Sequence, residues 1–221
     1  MASFVVDSFR TQNILLVNNG NAKELSFYSA FKNTANKSLL AAGYAPADSV
    51  HEVYGLGGVQ AALSSTKTNV VVLPSNQQSY VTEFIGKLNV MKDKHNIILF
   101  GMQNWNNYDN LDIEYLNNLS LHTPSNTFVD YDDAAAKQFI KAYRDAYKTE
   151  PDNYSYQGYD ITYYFLSALQ NEGSGFLKDL TAHKEKCIET SFSFEQLSDS
   201  GFENRFVYIL KYQDYKLVKA N

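Results

Sequence analysis

Amide and hydroxyl side chains collect behind four short apolar runs in the first half of this chain. Asn18-Asn19-Gly20-Asn21 follows the run 14–17, and Gly55-Leu56-Gly57-Gly58 follows 51–54. Pro74-Ser75-Asn76 follows 70–73, and Gly101-Met102-Gln103-Asn104 follows 97–100. Asparagine, glutamine and serine each offer both donors and acceptors without carrying a charge. Such groups hold the zwitterionic head of an amino acid or the hydroxyls of a sugar, and they break no bonds. Asn18, Asn19, Ser75, Asn76, Gln103 and Asn104 are therefore candidate solute contacts, with Trp105 as an apolar wall. The competing reading is ordinary turn chemistry, because asparagine and serine favour turns for local reasons.

Groups that would make or break bonds are poorly placed. Gly55-Leu56-Gly57-Gly58 lacks the lysine and serine of a phosphate loop, and it lacks the third glycine and acidic partner of a dinucleotide fingerprint. His51, His95, His122 and His183 share no helix face with another ligand, so no metal site is expected. Cys187 with His183 four residues before it is the one nucleophile–base spacing, yet no run of oxyanion-hole glycines surrounds it. Asp130, Asp132 and Asp133 precede a helical pattern and read better as caps than as an acid–base pair. The expectation is a protein without catalytic groups and without a cofactor.

The 221 residues suffice for one large domain or two small ones. A net charge of −5, with no basic stripe, argues against a nucleic-acid partner. The lone Cys187 allows no internal disulfide, and no apolar stretch approaches the length of a membrane span.

The four runs alternate with helical patterns, which predicts successive βα units of a parallel sheet. Helices are expected over about 22–42, 58–65, 80–88, 112–119, 132–149 and 155–171. In the helix 155–171, Tyr159, Thr162, Tyr163, Leu166 and Leu169 are expected to face inward. Residues 121–128 read as a further strand interrupted by Pro124, and 1–12 as an edge strand or a linker remnant. The tail alternates apolar and polar residues over 190–194, 205–212 and 216–219, and the last two stretches resemble an antiparallel hairpin. The fold class expected is α/β: a Rossmann-like, doubly wound, mainly parallel sheet with flanking helices and antiparallel C-terminal strands. Ligands in such sheets bind at the carboxyl ends of the strands.

Phe139, Tyr143, Tyr147 and Pro151 at four-residue spacing, then Gly158-Tyr159-Asp160 and Leu166 with Leu169, resemble the C-terminal region of type I periplasmic binding proteins. The nearest pattern is that of the branched-chain amino-acid receptors of ABC transporters. Asn13-Ile14-Leu15-Leu16-Val17 with Tyr28 and Phe31 resembles the start of their second lobe, and 204–212 their closing strands. The resemblance implies two lobes with a solute clamped between them, of which this chain carries only part. It divides the chain into a βα lobe with ligand-facing loops over 13–130, two helices of the first-lobe type over 131–175, and closing strands over 176–221. It places ligand contacts in the loop 18–23, adding Lys23 to the candidates, at Ser75-Asn76, and from Gln103 to Trp105. The family's aromatic in the first loop and its acidic residue near the fourth strand have no evident counterpart. The expected role is reversible capture of an amino acid or similar small polar solute, periplasmic or extracytoplasmic, handed to a membrane permease. The missing first lobe, or a dimer mate, would cover the other face of the solute, so weak binding by this chain alone is expected. The rival readings are an interaction or sensor module that dimerises, and a flavodoxin-like enzyme.

Overall fold

A computed structural model describes residues 1–45, 50–197 and 201–220. The chain forms two compact units, one of Met1–Pro124 with Ile209–Asn221 and the other of Ser125–Tyr208.

The first unit is built on a sheet of β1 (Asn13–Asn18), β2 (Val50–Tyr54), β3 (Asn69–Val72), β4 (Ile97–Phe100), β5 (His122–Ser125), β8 (Tyr208–Gln213) and β9 (Lys216–Lys219). Its order is β2-β1-β3-β4-β5-β8-β9. The pairings β1 with β2, β1 with β3, β3 with β4 and β4 with β5 are parallel, and β8 with β9 is antiparallel. The central strands β1, β3 and β4 are buried on both faces, which is why they read as near-continuous apolar runs, whereas the edge strand β2 is mostly exposed. Alternation still sorts the side chains. Leu15, Val17, Val71 and Leu99 face α3 (Gly55–Ala62), α4 (Gln78–Met91) and α5 (Ile113–Asn118), packing on Val59, Phe84, Ile85, Leu88 and Leu116. Ile14, Leu16, Val70 and Val72 face α1 (Ala2–Phe9) and α2 (Leu25–Ala41), packing on Val5, Val6, Phe31, Ala35 and Leu39. Helices on both faces of a mostly parallel sheet make the doubly wound α/β architecture that the sequence predicts.

The winding reverses between β1 and β3. The connection from β1 through α2 leads outward to β2, and the connection through α3 returns across β1 to β3. Such a reversal opens a crevice at the carboxyl ends of the two strands.

Residues 1–12 depart from expectation. They hold a helix, α1, rather than an edge strand, because Ala2, Val5 and Val6 recur at helical spacing and are buried against α2. The hairpin between β8 and β9 turns on Asp214 and Tyr215, with φ of 52° and 60°. Two consecutive positive φ values match the right-handed twist of the flanking strands.

The second unit holds α6 (Ala134–Tyr147), α7 (Asn153–Glu172) and the antiparallel pair β6 (Phe194–Gln196) and β7 (Phe202–Asn204). Asp133 caps α6 by accepting from Ala135 and Ala136 N–H, and Asp152 with Ser155 forms a capping box on α7. The expected inward face of α7 is corrected. Tyr159, Thr162, Tyr163, Leu166 and Leu169 are exposed, while Tyr156, Asp160, Tyr164 and Ala168 are buried. A fully buried aspartate is acceptable there because its carboxylate accepts from the backbone N–H groups of Ile188, Glu189 and Thr190, each at 2.8 Å.

Candidate functional site

The loop leaving β1 is a chain of side-chain turns. Asn18 Oδ1 accepts from Gly20 N–H at 2.8 Å, Asn19 Oδ1 from Asn21 N–H at 3.0 Å, and Asn21 Oδ1 from Lys23 N–H at 3.0 Å. Asparagine is suited to this, since its amide oxygen reaches the backbone two residues on. Asn18 therefore does the local turn work that was its competing reading. Gly20 sits at φ +76°, a backbone conformation that favours glycine, with the hydroxyl of the exposed Tyr54 lying against it.

The loop continues into a 3₁₀ turn, Ala22–Glu24, that brings Glu24 under the sheet edge. Glu24 is 7% exposed, and its carboxylate gathers the two loops that flank the reversal. It accepts from Asn19 Nδ2, from Ser75 Oγ at 2.7 Å and from Asn76 N–H at 2.6 Å. Asn19 Nδ2 also reaches Ser75 Oγ at 3.2 Å. Hydrogen bonds to a carboxylate are the stronger kind, and two of them, from Ser75 and Asn76, fix the loop after β3 to the loop after β1.

Behind this network stands Trp105. Its indole N–H donates to the Ser75 carbonyl at 2.7 Å, and the ring is 2% exposed. Gly101 makes room for it, because a Cβ at that position would run into the six-membered part of the indole. Trp105 is thus a core residue that props the Ser75 loop from within; its ring is spent on packing and presents no wall to a solute. Tyr108 donates its hydroxyl to the Asn76 carbonyl at 2.6 Å.

Asn19, Ser75, Asn76 and Trp105 accordingly belong to one connected group at the carboxyl edge. Gln103 and Asn104 lie on the 3₁₀ turn Gln103–Asn107 that carries Trp105, and both are exposed. Lys23 is exposed beside Glu24. Two buried polar atoms of this region, Asn76 Oδ1 and Tyr80 Oη, have no partner among the described residues. Glu24, Tyr54, Tyr80 and Tyr108 are additions that sequence reasoning missed. Glu24 carried one signal: a carboxylate in the first turn after an asparagine-rich loop, where a helical stripe needs none.

In the second unit, Cys187 is not an activated nucleophile. Burial first, then Asp160 and Glu185, pushes the Cys187 thiol up to about 12, which leaves it protonated at neutral pH. His183 donates or accepts through Nδ1 with Glu172 at 3.1 Å, away from the cysteine's own nearest partner, the Asp160 carbonyl. Asp133 is held below the usual carboxylate range by Lys186 and by the helix backbone it caps, so it acts as a cap. No group of three or more histidine, cysteine or acidic residues capable of holding a metal occurs among the described residues. No described helix is long and apolar enough to cross a membrane.

No protein-family model matches the sequence, and no curated protein matches it. Solved structures do. A protein provisionally assigned as a branched-chain amino acid ABC transporter from Rhodospirillum rubrum aligns with 99% of this chain at 12% identity and a TM-score of 0.57. An ABC transporter substrate-binding protein from Desulfitobacterium hafniense in complex with Leu aligns with 99% at 13% identity and a TM-score of 0.56. An amino acid ABC transporter substrate-binding protein from Pseudomonas fluorescens Pf-5 aligns with 99% at 13% identity and a TM-score of 0.55. The alignments cover 63%, 62% and 60% of those chains, so this chain spans about three fifths of their length. The fold of the chain is that of type I periplasmic binding proteins.

Proposed function

We propose that this chain is the solute-binding part of an ABC-type uptake system, and that it captures a small polar solute reversibly at the carboxyl edge of β1, β3 and β4. The observation that carries this reading is the Glu24 network. It organises the two loops at the winding reversal, where doubly wound sheets take their ligands. Asn19, Ser75 and Asn76 form the floor, Lys23, Gln103 and Asn104 the rim, and Trp105 the support. No bond is made or broken. The proposed setting is periplasmic or extracytoplasmic, with a membrane permease as downstream partner, and a first lobe or a dimer mate covering the far side of the solute. The Desulfitobacterium neighbour, with its bound Leu, makes amino acids the first solutes to try.

Isothermal calorimetry of the chain against the common amino acids and monosaccharides tests this. The expected result is weak binding, with dissociation constants of roughly 0.1–10 mM, because one face of the solute stays wet. Asn76→Ala is expected to abolish it. Binding that Asn76→Ala leaves unchanged would refute the site, and submicromolar binding would refute the need for a second covering surface.

One observation favours a second reading. On α7, Tyr159 and Tyr163 stack at 5.8 Å with an interplanar angle of 5°, yet both are exposed, as are Leu166 and Leu169. An apolar face of this kind suits docking to another protein surface. Sedimentation equilibrium distinguishes the readings: a tight dimer abolished by Leu166→Lys supports an interaction module.

A further inference from the structure

We propose that the first unit carries a second binding site, a groove at the amino edge of its sheet that takes a small hydroxy acid between Lys211 and His122. It is independent of the solute site proposed at the carboxyl edge.

The groove measures about 420 Å³, within the range of small-molecule sites, and Phe9, Ile98, Ser120, His122, Lys211 and Tyr212 border it. Ile98 and His122 stand at the amino-terminal ends of the parallel strands β4 and β5. Tyr212 N–H donates to the Leu121 carbonyl at 2.9 Å, which brings the end of β8, and Lys211 with it, beside the start of β5.

Three chemistries meet there. The first is a cation. Lys211 is half-buried and has no ion pair among the described residues. A cation partly withdrawn from water gains more from a carboxylate than an exposed one does. Asp214, on the hairpin turn, also borders the groove, but it is exposed and makes no ion pair with Lys211.

The second is a hydrogen-bond acceptor. His122 Nδ1 lies 2.6 Å from the Ser120 carbonyl, which can only accept, so the ring proton sits on Nδ1 and Nε2 keeps its lone pair. Nε2 has no partner among the described residues and, unlike His183 Nε2, is not sealed from solvent. Burial pushes the imidazole down to about 4 against the Ser120 bond, and the Lys211 charge adds to the push, so Nε2 is unprotonated at neutral pH. The ring is held in place by Phe100, stacked at 4.6 Å, and by Phe4 at 6.4 Å.

The third is an apolar wall, Ile98 with Phe9, whose ring stands edge-on to Phe100 at 5.9 Å. A ligand that meets all three carries a carboxylate for Lys211, a hydroxyl to donate to Nε2, and a short carbon skeleton between them. A plain carboxylate leaves Nε2 unmet, and an amine is repelled by Lys211.

The test titrates the chain with 2-, 3- and 4-hydroxybutyrate, with butyrate, which lacks the hydroxyl, with 1,3-butanediol, which lacks the carboxylate, and with phosphate. Calorimetry gives the affinities, and NMR shifts report where each probe sits. The best of the three hydroxy acids is expected to bind about fivefold or more tighter than butyrate or the diol, with amide shifts at residues 120–122 and 211–214. The His122 Nε2 resonance is expected to move with that hydroxy acid and to stay with butyrate. Lys211→Gln is expected to bring the hydroxy acid level with the diol. His122→Phe, which keeps a ring on Phe100, is expected to bring it level with butyrate. Equal affinities for hydroxy acids, butyrate and diol overturn the proposal, as does an unmoved Nε2 resonance with the hydroxy acid at saturation. Tighter binding of phosphate, or no shift at those residues with any probe, does the same. Shifts at residues 19–24 and 75–76 report on the carboxyl edge, so the fate of that site is read separately.

Discussion

Raising the pH should loosen the second unit through one carboxyl group, Glu189. It is 3% exposed, and its Oε2 is buried without a partner among the described residues. Burial, and then the neighbouring Asp160, pushes its carboxyl from the ordinary 4.5 up to about 7. The titratable neighbours are Asp160, whose carboxyl oxygens accept from three backbone N–H groups, and the phenols of Tyr156 and Tyr208. The native carboxyl therefore prefers its proton. A group whose folded value lies above its unfolded value contributes stability that is complete below about pH 4.5 and is lost as pH rises through about 7. At about 1.4 kcal/mol per pH unit, the full rise is worth about 3 kcal/mol, of which roughly 2–2.5 falls between pH 5 and 8. Urea unfolding of the wild type and of Glu189→Gln at half-unit steps across that range isolates the effect, since groups common to both cancel in the difference. The wild type should lose about 2 kcal/mol relative to the variant on going from pH 5 to pH 8. A difference that stays flat with pH would show that Glu189 ionises as freely in the native protein as in the unfolded chain.

The first unit should respond to pH in the opposite sense. His122 stacks on Phe100 at 4.6 Å, and burial pushes its imidazole down to about 4, so stability present above pH 6.5 is lost as pH falls through 4; removing this by His122→Phe should flatten an acid-side loss of about 3 kcal/mol in thermal unfolding. Asp160→Asn keeps one oxygen for three backbone donors and turns its amide nitrogen toward one of them, which should cost about 3 kcal/mol in denaturant unfolding. Gly101→Ala pushes a methyl group into the Trp105 ring and should cost about 1–3 kcal/mol, with a shifted tryptophan emission as the indole loses its bond to Ser75.

The sheet was legible in the sequence because β1, β3 and β4 are buried on both faces and so appear as clean apolar runs, while the exposed edge strand β2 gave a weaker signal. The placement of the loops followed, and Asn19, Ser75 and Asn76 lie together at one edge. Residues whose roles depend on distant partners were not legible. Glu24 carried only its place after an asparagine-rich loop as a signal; its partners Ser75 and Asn76, some fifty positions later, are brought against it by the fold. Trp105 looks like a binding aromatic because its sequence neighbours are polar; only Gly101, four residues before it, hints that the ring folds back onto the sheet. On α7 the apolar residues are spread around the helix, so periodicity could not select a face. The buried one is set by Asp160, whose partners lie in a segment nearly thirty residues on. The helix α1 was missed because eight residues carry too little pattern to separate a short amphipathic helix from a strand.

The most direct test of the central claim is a crystal structure of the chain with the solute that calorimetry ranks first. The account predicts that solute at the carboxyl ends of β1 and β3, hydrogen-bonded within about 3 Å to the loops that carry Asn19 and Asn76, with the Glu24 network intact beneath it. A solute bound elsewhere, with Asn76 untouched, would contradict it.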